Sequence, residues 1–398
     1  MSKPPTPSGH ATPSRRSAVV AFICVFSAVG ASAPFLPVYY QSLGLSLDAI
    51  GLLAAVAALT ALFAAPAWGV VSDRLRSRYV LLVACLGAAI SSVLLGLAVE
   101  PVVVALCAIL YWLWFAGVPP LLDAQALEAV GEDHFQYSRL RVWGSAAFIV
   151  STLVVGALIE RAGLRSLFVV FVGALMLTGL VALRLSTTHA RPSMPRLSGL
   201  RAVLGNRTAV TFIGIALLTW SASTAVNGFL SIYMIEIGTP GTVIGFAWAL
   251  GAGVEIPLMI AFPQLARRFG LETLVVAGAA FLLLRVLALL LVHDPLLVAA
   301  TMTLHGAGFA LLLVGGVTYV ARHAPSGAEA TAQGLLSGVT IGLSQAVGPL
   351  FGGALAGVVG LPTMFVFPAV GSAVALAAMV WAVLRPAVSE RRAAGSAR

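Results

Sequence analysis

Twelve long apolar runs, parted by short polar loops, constrain this chain more than any other feature. Crossing the hydrocarbon of a bilayer takes a helix of about 20 apolar residues. That length places spans near 17–40, 47–71, 79–98, 101–129, 137–159 and 165–184. A polar, basic stretch over 185–207 follows, holding Pro192 and Pro195. Six more spans lie near 208–234, 241–264, 271–292, 295–321, 328–356 and 361–384. Backbone in lipid must satisfy its own hydrogen bonds, so such runs are helices. The expectation is an all-α membrane protein with a disordered tail (1–16), a six-helix bundle (17–184), a linker (185–207), a second bundle (208–384) and a tail (385–398).

Composition agrees. Only 9% of residues are charged and 60% are hydrophobic, against about 25% charged in a soluble domain. The net charge of +9 raises a nucleic-acid reading. The basic residues form no stripe with interleaved aromatics, so no nucleic-acid partner is expected. Arg15-Arg16 reads as the positive flank of the first helix rather than a twin-arginine signal, because the run after it is too long and lacks a cleavage pattern. Cys24, Cys85 and Cys107 all lie inside apolar runs, as buried thiols.

Orientation follows from Gly69–Arg78, a basic turn between the second and third runs. Arg74, Arg76 and Arg78 cannot sit in hydrocarbon, and arginine-rich short loops stay cytoplasmic. With that turn inside, 20 basic residues fall inside, 2 outside (Arg161 and Arg165), and Arg285 lies within a span. Both termini are then cytoplasmic, in a bacterial inner membrane. Phe262–Gly270, with Arg267 and Arg268, follows the eighth span as Gly69–Arg78 follows the second. A recurrence at half the chain length is the pattern of transporters built from two parallel six-helix repeats.

The turn resembles the loop signature of the major facilitator superfamily, Gly-x-x-x-Asp-Arg-x-x-x-Arg, in Gly69, Asp73, Arg74 and Arg78, with Arg76 where that family usually has glycine. A narrower similarity is to the lactose permease and phenylpropionate transporter branch. Tyr137–Ser145, Gly253–Pro257, Leu284-Arg285-Val286 and Leu304-His305-Gly306 carry it. The resemblance implies a proton-linked symporter of a small organic molecule, since positions like these serve substrate binding and proton coupling in that branch. Gly308 stands in place of a proton-carrying glutamate, Ser344 in place of a lysine, and an aspartate is missing near Asn227. Lactose is therefore not the expected substrate, and the phenylpropionate-like members look closer in spans eight to ten.

A charge inside a span costs about 2.5–3.5 kcal/mol, so it faces a cavity and a partner. Glu255, Arg285 and His305, on spans eight, nine and ten, are expected to form a hydrogen-bonded set in which protonating Glu255 releases Arg285. A fixed ion pair between helices is the other reading. Asp123 and Arg141 should meet across the turn between spans four and five, either holding substrate or closing the helix ends. Arg139 reads as a cytoplasmic anchor and Glu128 as an interfacial residue. Gly69, Asp73, Arg74 and Arg78 read as a conformational gate, or as a plain topology signal. Trp114 and Trp143, with Trp112 and Phe115, offer faces for a ring substrate, although helix packing is the commoner fate of such residues. Asn227 and Gln345 are neutral donors for the cavity. Gly348-Pro349 is expected to break span eleven.

The sequence has no metal-ligand spacing, nucleotide-binding glycine loop or nucleophile triad, so neither an enzyme nor a cofactor is expected. The expected partners are a small-molecule substrate, protons and membrane lipids, with the chain acting as a monomer. Proton-coupled uptake of an organic or aromatic acid, sugar or nucleoside stands first. Proton-antiport efflux and a non-transporting sensor or scaffold are the alternatives.

Overall fold

The computed structural model describes residues 15–75, 77–130, 134–185 and 197–384. Eleven helices in it are long and apolar enough to cross a membrane, and a twelfth is shorter. In order they are α1 (Arg16–Ser42), α2 (Leu47–Arg74), α3 (Arg78–Leu97), α4 (Pro101–Leu127), α5 (Leu140–Ala162), α6 (Ser166–Ala182), α7 (Arg207–Glu236), α8 (Gly241–Phe269), α9 (Leu271–Leu291), α10 (Pro295–His323), α11 (Glu329–Val359) and α12 (Leu361–Leu384). No strand occurs among the described residues. Arg76, residues 1–14 and 385–398 of the expected tails and the side chains of Glu128, Tyr137, Ser138 and Arg139 lie outside the described residues, while Arg15 and Arg16 are already helical.

The helices pack as two six-helix bundles of like design. In the first, α1 packs on α5 and α6, and α3 on α4 and α6; in the second, α7 packs on α11 and α12, and α9 on α10 and α12. The repeat seen in the basic turns is thus a repeat of helix packing.

Two departures from the sequence reading have simple causes. A short helix, Leu197–Gly205, lies within the basic linker. Its apolar residues recur at helical spacing, and Val203 is fully buried against the second bundle. The expected break at Gly348-Pro349 is absent: helix runs unbroken over Ser344–Val359 with Pro349 inside it. A proline ring crowds the carbonyl four residues earlier and offers no N–H. The irregularity lies before it, in a widened π-helical turn over Gly338–Leu343. There Thr340 Oγ1 donates to the Leu336 carbonyl (2.9 Å) and Ser344 Oγ to that of Thr340 (2.6 Å).

The bundles meet on the face away from the basic loops. α2 crosses α11 there, and α5 crosses α8. A Cβ on Gly51 would overlap the Pro349 carbonyl oxygen and come within 2.9 Å of Gly353 Cα. A Cβ on Gly245 would overlap the Thr152 carbonyl. Only glycine allows backbones this close. Toward the basic loops the bundles part. On the stripe of α2 that faces α11, Gly51 and Ala55 are buried, Pro66 is exposed, and nothing lies within 4 Å of a Cβ built on Gly69. The apolar cores agree. One continuous core joins the first bundle to the far half of the second (Phe229, Ile244, Met302, Phe365). The half of the second bundle nearer the basic loops has a separate core around Phe212, Phe262, Leu282 and Tyr319. The crevice between the bundles therefore opens toward the basic loops.

Candidate functional site

Glycines bring three helices of the second bundle together around a buried polar group. A Cβ on Gly306 of α10 would overlap the Gly251 carbonyl of α8, and one on Gly308 would lie 2.9 Å from the Gly278 carbonyl of α9. α10 is thereby pressed against both neighbours, which sets His305 beside Arg285.

Arg285 is 1% exposed and His305 6%. Arg285 Nη1 donates to Asn227 Oδ1 at 2.8 Å and lies 3.1 Å from His305 Nδ1. Arg285 Nη2 donates to Met302 Sδ at 3.2 Å, while its Nε is buried without a partner. Guanidinium nitrogens can only donate, so His305 accepts at Nδ1 and carries its hydrogen on Nε2. Asn227 Nδ2 stands 3.4 Å from that Nε2. Two donors then face each other, and the triad has one contact that does not close.

Glu255 is half-buried and has no hydrogen-bond or ion-pair partner among the described residues. The expected three-member set is therefore corrected. Arg285 and His305 are joined, Asn227 takes the third place, and Glu255 stands apart. The helix rise gives the reason. Measured from the helix ends away from the basic loops, Arg285 lies about 9 Å deep, Asn227 about 14 Å and His305 about 15 Å, but Glu255 about 21 Å. A buried guanidinium and an unpaired carboxyl thus share one bundle without touching.

In the first bundle the expected site residues are half-buried or exposed, while Gln125 of α4 is fully buried with both amide atoms unpartnered among the described residues. Asp123 is half-buried. Arg141 is exposed and sets its guanidinium 5.8 Å from the Phe26 ring centroid rather than against Asp123. Trp143 is 54% exposed. Trp114 is a packing residue: its ring fills the space a Cβ on Gly87 would take and lies 5.3 Å from the Trp68 ring. Gln345 is exposed on α11, the next residue to the buried Ser344. Asp73 is half-buried without a partner among the described residues, and Arg74 is exposed. Arg78 Nη2 donates to Tyr79 Oη at 3.4 Å. With the bundles parted on the side of the basic loops, the residues Gly69 to Arg78 make no bridge between the bundles among the described contacts.

Sequence reasoning missed Met302 as a partner of Arg285, and the contact of Trp248 Nε1 with Ser231 Oγ (3.0 Å) that ties α8 to α7. Neither residue is charged, so the search for costly charges in spans passed over both.

The family model described as the MFS_1 like family matches residues 17–367. Maltose permease of Geobacillus stearothermophilus is 31% identical over 339 residues, covering 84% of this chain and 86% of its own. The probable 3-phenylpropionic acid transporter of Escherichia coli K12 is 26% identical over 378 residues, covering 90% and 98%. Among solved structures, that of the nucleoside transporter NupG superposes with a TM-score of 0.81 at 18% identity, covering 92% of this chain and 98% of that one.

Proposed function

This chain belongs to the MFS_1 like family of major facilitator transporters, and on that premise we propose that it takes up a small organic solute together with protons. That it is a multi-pass membrane protein and a secondary transporter of a small solute, not an enzyme, follows from the family and from relatives of that kind. The direction, the proton and the residues named below are our reading.

One observation carries the coupling: among the described residues Arg285 is buried with neutral partners only, while Glu255, one helix away, is half-buried and unpaired. A guanidinium in a low-dielectric interior attracts a carboxylate strongly. Leaving Glu255 unpaired is stable when that carboxyl holds a proton. Once the proton leaves, the carboxylate and Arg285 gain by approaching each other, which needs α8 and α9 to shift. Proton release is thereby tied to a change of helix packing, and the change of packing to which side of the membrane the crevice faces.

In this reading solute binds in the crevice between Asp123, Arg141 and Trp143 of the first bundle and Asn227 and Gln345 of the second. Gly69, Asp73, Arg74 and Arg78 form the gate on the basic face. That face is cytoplasmic by its arginines, the membrane is the bacterial inner membrane, and the monomer is the working unit. The relatives named for maltose and for 3-phenylpropionic acid make a sugar and an aromatic acid the first probes.

The test uses purified protein in liposomes, with a panel of sugars, aromatic acids and nucleosides ranked by thermal shift. For the solute found, an acid exterior should drive accumulation and solute entry should acidify the lumen. Glu255→Gln should lose accumulation at least tenfold yet keep solute exchange at equal concentrations. Accumulation driven by an acid lumen would make the chain an antiporter, and full accumulation by Glu255→Gln would remove Glu255 from the proton path.

A further inference from the structure

A helix start leaves N–H groups that need acceptors. α10 supplies its own: Asp294 Oδ1 accepts from the N–H groups of Leu296 and Leu297, each at 3.0 Å. α7 does the same through Asn206 Oδ1, which accepts from Ala209 N at 3.0 Å. α8 has no such residue. It follows Pro240, which caps nothing through its side chain, and its first turn holds no acidic residue. The acceptor comes from the other bundle. Glu160, near the end of α5, accepts from Thr242 N and from Thr242 Oγ1, both at 2.7 Å, through Oε1. Beside it a Cβ on Gly241 would lie 2.8 Å from the Gly156 carbonyl, so backbone and cap close the same crossing. Farther along the rim, Gln41 Nε2 of α1 reaches Glu236 Oε1 of α7 at 3.4 Å.

We propose that Glu160 is a latch between the bundles, whose carboxylate caps α8 only while the face away from the basic loops is shut. A carboxylate at a helix N-terminus gains from the hydrogen bonds and from the helix dipole together. Parting α5 from α8 gives up both, and no side chain at the start of α8 caps it in this structure. Glu160 is exposed, so water takes over part of the loss. The latch therefore sets a bias between the two conformations and does not lock one. Losing a cap of this kind should move the balance toward the opened face by about threefold to tenfold. The latch rests on the proposed orientation only in fixing the side from which it is reached.

The test is labelling of Ala249→Cys by a membrane-impermeant maleimide in right-side-out vesicles. Ala249 is buried one turn below Gly245, behind the α5–α8 crossing. The three native cysteines are buried, and the parent supplies the blank. Ala162→Cys, at an exposed position on the same face, reports orientation. If it is not labelled from outside, the orientation fails, and the same comparison in inverted vesicles still decides the latch. Glu160→Ala should raise Ala249→Cys labelling about threefold to tenfold. Glu160→Gln, which keeps an acceptor oxygen, should restore it to within about twofold of the parent. Thr242→Val added to Glu160→Ala should add nothing. Parental labelling in folded Glu160→Ala, or additive effects of the two changes, would overturn the proposal. Should Glu160→Ala fail to fold, Glu160→Ser decides on the same scale.

Discussion

Gly51 on α2 and Gly245 on α8 hold matching places in the two halves, each preceded by isoleucine, four residues into the like stretches Asp48-Ala49-Ile50-Gly51 and Thr242-Val243-Ile244-Gly245. Each presses backbone on backbone across the bundle boundary, Gly51 on Pro349 and Gly353, Gly245 on Thr152. The polar interiors of the bundles have no such likeness. The second holds a guanidinium at 1% exposure with an amide, an imidazole and a thioether around it. The first keeps Arg141 at the surface against Phe26. The difference separates two demands on a repeat. Closing and parting needs two equivalent crossings, so the scaffold stays matched. In the proposed mechanism, coupling an ion to a solute needs one charge that can change partners, and one bundle suffices for that.

The largest expected effect tests the mismatch. Arg285→Leu should abolish measurable uptake, a loss above about a hundredfold, while the melting temperature changes only modestly, since relief of the buried charge offsets the acceptors of Asn227 and His305 left unpaired. Arg141→Leu should cost uptake about tenfold or less, because an exposed cation is held by solvent as much as by protein. Uptake assays beside thermal melts check both. If the two losses are equal, the bundles share the chemistry and the asymmetry is only one of burial.

The matched scaffold comes next. Gly51→Leu and Gly245→Leu each drive a side chain into opposing backbone, so each should hold the closed face apart. Uptake should fall about tenfold in each, the two agreeing within about threefold, and labelling of cysteines behind the crossings should rise. A severe loss from one and a mild loss from the other would mean that one crossing alone carries the closure.

How much of this was legible in the sequence depends on what helical rise can give. The all-α membrane fold and its two-bundle repeat followed from run length and arginine placement, and eleven long apolar helices with a shorter twelfth, packed alike in two sets, agree with them. Depth along a helix was legible only to about two turns, a margin that grouped Glu255, Arg285 and His305. The partners were not. Depth leaves open which way a residue faces, and facing is set by crossings such as Gly251 on Gly306, which only the packed structure fixes. Glu255 was therefore joined to Arg285 on depth, although it sits about 12 Å lower by the same rise. Pro349 was expected to break α11 because a proline rule is local, whereas the widened turn before it absorbs the strain. Glu160 drew no notice, since a carboxylate near a span end is ordinary until the helix it caps is known to be in the other bundle.

The smallest effect concerns Trp114, where the sequence left stacking on solute and packing both open. Its ring fills the hollow over Gly87 and touches Trp68, whose Nε1 donates to the Leu113 carbonyl at 2.8 Å. That arrangement fastens α2 and α3 to α4 within the first bundle. Trp114→Ala should therefore lower stability by about 2–3 kcal/mol, near the low end for truncating a large side chain, because the ring is only half-buried. The apparent KM should stay within about twofold. Trp143, exposed on α5, supplies the contrast, since Trp143→Ala should leave melting unchanged and raise KM if a ring-bearing solute stacks there. A raised KM in Trp114→Ala with an unchanged melting temperature would move the aromatic contact from α5 to α4. The polar content of the first bundle would then count as a binding surface as developed as that of the second, and the contrast between the bundles would narrow to the single buried charge.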